Sequence, residues 1–312
     1  MLQSKFARGL VFVVLAVVGY SLLPVFTEGL YQDNMDALDI ASWRYIIAVP
    51  IFWLFVAAQR AARRTERVPE ADERRIPWVK VLLAGVLLAI AGLLAFEGLQ
   101  LITAGAYVVI FYTYPAIVAL ISLVLGERLS LWGWAAIGLS LVGVALTAPD
   151  FSAGLQGDNL SGVLYALGNA VVVAIYFVLN SRLLRNTGSP AVGSALACSG
   201  ALILLLIVML VSGGARPPST LNAWVSMLLL AVVSTIMPVF SLTVAIQALG
   251  PSRAAVFNSF EPLVTASLAV IFLGQEMLPI QWLGGLVIVA SVIMLQTLGQ
   301  AKMVPAEGVH TP

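Results

Sequence analysis

The sequence predicts an all-α polytopic membrane protein, with ten transmembrane helices forming an inverted repeat of five plus five. Three observations predict it. The chain is 61% hydrophobic and 10% charged, with a mean hydropathy of +1.01; soluble domains carry about 25% charged residues. Apolar segments of about 20 residues, enough to cross a bilayer, follow one another from residue 9 to residue 299. Landmarks in the first half return in the second at one spacing.

Trp78-Val79 returns as Trp224-Val225, 146 residues later. Gln100 precedes Pro115 by 15 residues, as Gln247 precedes Pro262. Leu125-Gly126-Glu127 returns as Leu273-Gly274, with Gln275 inserted before Glu276, and Trp134 returns as Trp282. Such periodicity sets the architecture. Five spans per repeat is an odd number, so the second copy enters the membrane in the opposite orientation. Inverted repeats of this kind mark secondary transporters, which hold substrate between the halves near the midplane.

The first span covers 9–30. Its basic start, Lys5 and Arg8, and its apolar run to Phe26 also fit a signal peptide, but removing it breaks the five-plus-five symmetry. The second, 38–59, carries Arg44, and the third, 78–101, carries Phe96 and Glu97. The fourth, 104–126, contains Pro115, and the fifth is 131–149. The sixth is 160–184, the seventh 190–213 and the eighth 221–248. The ninth, 252–274, holds Glu261 and Pro262, and the tenth is 279–299. Pro190, Pro251 and Pro279 stand at span starts, where a missing N–H costs nothing. Residues 60–77 form a charged loop, and no soluble domain fits. The units are 1–150, the first repeat; 151–299, the inverted repeat; and 300–312, a polar cytoplasmic tail.

Lys and Arg set the orientation. With the N-terminus inside, cytoplasmic segments hold Lys5, Arg8, Arg60, Arg63, Arg64, Arg67, Arg74, Arg75, Lys80, Arg128, Arg182, Arg185, Arg253 and Lys302, while Arg216 stands outside. The outer side collects Glu28, Asp33, Asp36, Asp39, Asp150, Asp158 and Glu276. Both termini are expected in the cytoplasm of a bacterial cell, and the protein in its inner membrane.

The mid-span Pro115 and Pro262, the Gly-Glu ends of spans four and nine, the Trp and small residues opening spans five and ten, and Arg44 together resemble the drug/metabolite transporter superfamily. Within it, the chain is similar to the EamA-type ten-helix exporters over about residues 9–299. The resemblance implies a basket of ten helices. Spans 1, 3, 4, 6, 8 and 9 surround a central cavity, with 5 and 10 peripheral. It also implies efflux of small metabolites, often amino acids, without ATP hydrolysis. Glu261 precedes Pro262 where the first repeat has Tyr114, and Gly-Gln-Glu replaces Gly-Glu. These departures leave an acid in span nine outside the shared pattern, and the substrate does not carry over.

A proline inside a helix frees the carbonyl four residues earlier, here those of Phe111 and Asn258. In lipid that carbonyl needs a partner. Pro115 and Pro262 therefore read as paired hinges lining the cavity, or as packed kinks; Pro24, Pro50 and Pro238 are further kinks. Glu261 reads as a contact for a substrate amine or an exchangeable proton, or as a carboxyl bonded to a neighbouring helix. Arg44 and Glu97 lie at similar depth and read as a structural ion pair, with carboxylate binding by Arg44 as the alternative, since half-buried charges usually pair within the protein. Glu127 and Glu276 read as caps.

Tyr20, Phe96, Tyr107, Phe111, Tyr114, Asn169, Tyr176, Asn258, Ser259 and Glu261 are the candidate cavity residues; Tyr112 and Asn180 accompany them on the same spans. Tyr107, Phe111 and Tyr114 share a helix face, as binding wall or as packing. Trp78, Trp132, Trp134, Trp224 and Trp282 read as interface anchors. Gly133, Gly138, Gly143, Gly284 and Gly285 let spans five and ten approach closely.

The single cysteine, Cys198, permits no intrachain disulfide, and the single histidine, His310, lies in the tail. No His-rich metal site, P-loop, H-E-x-x-H or G-x-S-x-G is present, and no lysine falls inside a span beyond Lys80 at the cytoplasmic start of the third. The sequence therefore predicts a secondary transporter, not an enzyme. It exports or exchanges small metabolites, most plausibly amino acids, aromatic or apolar ones among them, by alternating access. A passive channel and a membrane-embedded lipid enzyme are the alternatives. The expected partners are a small-molecule substrate and the lipid bilayer, with no cofactor, no nucleic acid and no ATPase subunit.

Overall fold

A computed structural model describes residues 2–65, 76–124, 130–147, 158–183, 190–249 and 257–299. Every regular element among them is helical. The first half contains α1 (Leu2–Ser21), α2 (Leu23–Tyr31), α3 (Ala37–Thr65), α4 (Trp78–Leu101), α5 (Ala104–Phe111), α6 (Tyr114–Val124) and α7 (Leu131–Thr147). The second contains α8 (Asp158–Leu183), α9 (Pro190–Ser212), α10 (Leu221–Ala231), α11 (Met237–Leu249), α12 (Glu261–Leu273) and α13 (Pro279–Met294). Wide π-helical segments, Val232–Ile236 and Leu295–Gly299, follow α10 and α13.

Eight stretches are long and apolar enough to cross a membrane: Phe6–Tyr31, Ala37–Ala61, Trp78–Leu101, Ala104–Ile121, Asp158–Leu179, Ala191–Ser212, Leu221–Leu242 and Pro279–Leu298. Leu131–Leu146 and Glu261–Leu273, expected as full spans, are shorter apolar helices among the described residues. The ninth is cut because a turn at Ser259–Phe260 interrupts it before Pro262. Glu127 and Pro251 lie outside the described residues.

Prolines explain most of the other interruptions. Pro24 follows the break between α1 and α2 at Leu22. The π segment ends just before Pro238. There the Met237 N–H reaches back five residues to the Val232 carbonyl, and the wide turn makes room for a proline ring that would clash with a normal helical carbonyl. Pro50 is held inside α3, at an exposed position.

Helix α4 lies between α8 and α9, α1 packs along α11, α7 along α13, α3 along α9, and α5 along α12. Lipid tails are as apolar as leucine, so close approach and not hydrophobic burial holds such helices together. At the α4–α9 contact, a Cβ on Gly85 would stand 2.0 Å from the Ala197 carbonyl oxygen, and one on Gly200 would stand 1.9 Å from that of Leu82. Only hydrogen fits at either point. Large apolar side chains on the outside, such as Leu54, Leu83, Leu141, Ile207 and Ile271, suit helices that face lipid.

Two loops expected on the outer side clasp each other. The Arg216 N–H donates to Asp39 Oδ1 at 2.7 Å, and its Nε to Asp39 Oδ2 at 3.2 Å. Its Nη2 stands 3.5 Å from Asp36. Ser219 donates to both Asp33 oxygens at 2.7 Å, which holds the Asp33 carboxyl below its usual range. The residue inserted in the second half also has a place: the Ala104 N–H, at the start of α5, donates to Gln275 Oε1 at 2.9 Å.

Candidate functional site

The two proline breaks face each other. Helix α5 ends at Phe111, Tyr112 and Thr113 form a turn, and α6 restarts with Tyr114-Pro115. In the second half Ser259 and Phe260 form the turn, and α12 restarts with Glu261-Pro262. Tyr112 (φ −69°, ψ 8°) and Phe260 (φ −78°, ψ −10°) bend the chain in nearly the same way. Both prolines are buried.

A polar knot joins the breaks. Tyr112, 2% exposed, has its hydroxyl 2.7 Å from Glu261 Oε2. The same hydroxyl lies 3.1 Å from the Asn258 carbonyl, the carbonyl that Pro262 frees. A hydroxyl has one hydrogen, so these acceptors compete, and the shorter contact takes it. Asn258 Nδ2 donates to the Tyr112 oxygen at 3.1 Å and to Glu261 Oε2 at 3.2 Å. Its Oδ1 is buried without a partner among the described residues. From α1, Ser21 donates to the Glu261 carbonyl at 3.3 Å.

Aromatic rings continue outward from the knot. Phe111 and Tyr114 are 5.2 Å apart, Tyr112 and Tyr114 5.6 Å, and Tyr114 stacks on Phe177 of α8 at 5.4 Å. Tyr176 lies edge-on to Phe177. Tyr107 accepts a 2.7 Å hydrogen bond from Asn169, whose Oδ1 is buried and has no partner among the described residues. Ser259 is buried. Tyr20 directly precedes Ser21 on α1.

The expected Arg44–Glu97 pair does not form. Arg44 Nε donates instead to Thr235 Oγ1 at 2.7 Å, and its guanidinium lies 5.5 Å from the Tyr45 ring and 5.7 Å from the Phe96 ring. Among the described residues, ion pairs within 4.0 Å join Arg216 to Asp36 and Asp39, and none joins Arg44 to Glu97. Equal depth on neighbouring helices did not make the two side chains face each other. The Tyr31 hydroxyl donates to the Phe96 carbonyl.

Sequence reasoning left Tyr112 off the aromatic face and did not single out Thr235, Tyr45 or Ser21. The Tyr107–Phe111–Tyr114 periodicity assumes one continuous helix, and the turn before Pro115 resets the phase. The repeat itself held a usable signal: Tyr112 and Asn258 are separated by 146 residues, the spacing of the Trp landmarks. Thr235 could be sought as a polar residue in an apolar run just before Pro238. Trp224, read as an anchor, packs edge-on against Trp43 at 5.5 Å, whereas Trp78 and Trp132 are exposed.

The EamA-like transporter family matches this chain twice, over residues 7–148 and 160–297. The chain belongs to the EamA family of the drug/metabolite transporter superfamily. It is similar to the uncharacterized transporter YcbK of Bacillus subtilis, at 25% identity over 90% of this chain and 91% of that protein. It is similar also to the threonine/homoserine exporter RhtA of Escherichia coli K12, at 30% identity over 72% of each chain. A solved crystal structure shares the fold with a TM-score of 0.64 at 18% identity, covering 93% of this chain and 97% of that one. The EamA chain described here is thus a multi-pass membrane transporter of a bacterial family. Each family match contains one of the two facing proline breaks, so the Tyr112–Asn258–Glu261 knot joins the two matched units.

Proposed function

We propose that this EamA protein exports or exchanges small amino acids across the bacterial inner membrane, by alternating access between two inverted five-helix halves, 1–150 and 151–299. Both termini and the tail 300–312 lie in the cytoplasm, the partners are a small-molecule substrate and the bilayer, and no cofactor or ATPase subunit takes part. One observation carries the reading: a buried carboxylate, Glu261, sits where the interrupted spans of the two halves meet, bonded to a tyrosine of the other half. A buried charge in a membrane protein marks a substrate or ion path by default. Broken helices place unpaired backbone groups at midplane sites.

The packing supports the inversion. Spans three and six pair through α4 and α8, and their counterparts, eight and one, pair through α11 and α1. Counterpart helices α3 and α9, α5 and α12, and α7 and α13 pack on each other, as elements beside a pseudo-two-fold axis do. In this mechanism Glu261 takes the substrate ammonium, and Pro115 and Pro262 allow each half-span to swing. The name of RhtA, an exporter of threonine and homoserine, supports amino acids as the substrate class.

The test is counterflow of labelled L-threonine, L-homoserine and L-phenylalanine in proteoliposomes of the purified protein. Saturable counterflow that Glu261→Gln lowers at least tenfold is the expected result. Ohmic current without counterflow, or no movement of any amino acid, overturns the reading.

A further inference from the structure

We propose that Arg44 is the carboxylate anchor of the transport site, so that Arg44 and Glu261 form the two poles of a pocket for zwitterionic amino acids; this rests on the transporter reading above. Arg44 stands seven residues into α3, about 10 Å along it. A cation at that depth normally pairs or faces a water-filled path. Arg44 has no carboxylate within 4.0 Å among the described residues. Its one hydrogen bond there uses Nε, to Thr235 Oγ1. The Thr235 hydroxyl donates in turn to the Leu230 carbonyl at 2.9 Å, so Thr235 is aligned to accept. The π segment before Pro238 carries this threonine. Fixing Nε leaves the terminal nitrogens, four of the five guanidinium donors, without an acceptor among the described residues. That planar fork matches a carboxylate through two parallel bonds.

There is room beside it. Gly92 lies one turn before Phe96 on the same face of α4, since positions four apart are neighbours. It is buried, yet a Cβ built on it meets nothing within 4 Å. The open space therefore adjoins the ring under the Arg44 guanidinium. A short stretch of α1 touches both poles: a Cβ on Gly19 would stand 2.7 Å from the Val233 carbonyl oxygen in the π segment that carries Thr235, and Ser21 donates to the Glu261 carbonyl at 3.3 Å, so the two charges flank one region. Each pole also takes one residue from each half: Arg44 with Thr235, and Glu261 with Tyr112. A ligand bridging the poles senses how the halves are placed.

Counterflow of L-threonine, L-threonine amide and N-acetyl-L-threonine in proteoliposomes tests the proposal. In wild type the free amino acid is preferred over both derivatives. Arg44→Gln lowers threonine counterflow by about 10–100-fold, the worth of a charge-assisted hydrogen bond, and abolishes the preference for acid over amide. Arg44→Lys restores part of it. Thr235→Val, which keeps the cation but frees its orientation, erodes that preference several-fold, and decides the matter where Arg44→Gln does not fold. Glu261→Gln keeps the acid-over-amide preference and loses the discrimination against the N-acetyl form. An unchanged acid-over-amide preference in Arg44→Gln or Thr235→Val overturns the carboxylate role while leaving amino-acid transport standing. Absence of any amino-acid counterflow in wild type overturns the transporter reading, and this inference with it.

Discussion

Replacing Tyr112 with Phe removes one oxygen and leaves the ring. The loss is the 2.7 Å contact to Glu261 Oε2 and the 3.1 Å contact from Asn258 Nδ2. Hydrogen bonds to charged groups contribute about 1.5–3 kcal/mol, and neutral ones about 0.5–1.5. Tyr112 and Glu261 are both nearly inaccessible, so water does not replace the lost partner. The expected destabilisation is about 1.5–3 kcal/mol for an ionised Glu261. At roughly 2–3 °C per kcal/mol for a chain of this size, the midpoint in detergent falls by about 3–9 °C. Glu261→Gln keeps an acceptor for the hydroxyl, now neutral, so adding Tyr112→Phe in that background costs only about 0.5–1.5 kcal/mol. The double-mutant cycle therefore shows a coupling of about 1 kcal/mol or more. Thermostability of the four proteins, read by light scattering or tryptophan fluorescence, measures it. Additive effects, or a Tyr112→Phe protein as stable as wild type, would refute the knot as the element that joins the halves.

Four further outcomes are expected. Pro115→Ala and Pro262→Ala each restore a helical hydrogen bond, so transport falls with expression retained; wild-type turnover in both removes the hinge role. In the clasp between the two loops, Asp39 is 4% exposed and Arg216 67%, so Asp39→Ala costs about 1–3 kcal/mol and Arg216→Ala at most about 1, compared by thermostability. The carboxyl of Asp33 is held low by Ser219. Its contribution is complete above about pH 4 and is lost as pH falls through the lowered value. Asp33→Asn should flatten that acid limb, and an unchanged profile would remove the role. Gly200→Ala forces a methyl group to 1.9 Å from the Leu82 carbonyl oxygen and should destabilise by about 1–3 kcal/mol. Gly92→Ala meets nothing within 4 Å and should leave the melting midpoint in place.

Membrane character, most of the helices and the positions of the breaks were legible in the sequence because each follows from local chemistry. Apolar runs of spanning length become helices, since lipid offers the backbone no other partner. Pro115 and Pro262 interrupt their spans because a proline lacks the N–H, and the repeated spacing already paired them. The Arg44 partner was not legible. Depth along a helix follows from counting residues, but the direction a side chain takes depends on which helix lies opposite. That Thr235, 191 residues away, is the partner is decided only by α3 and the π segment lying side by side. The same holds for Tyr112. Its place in the knot depends on a turn that resets the helix phase and on α12 approaching α5, and both are properties of the packed chain.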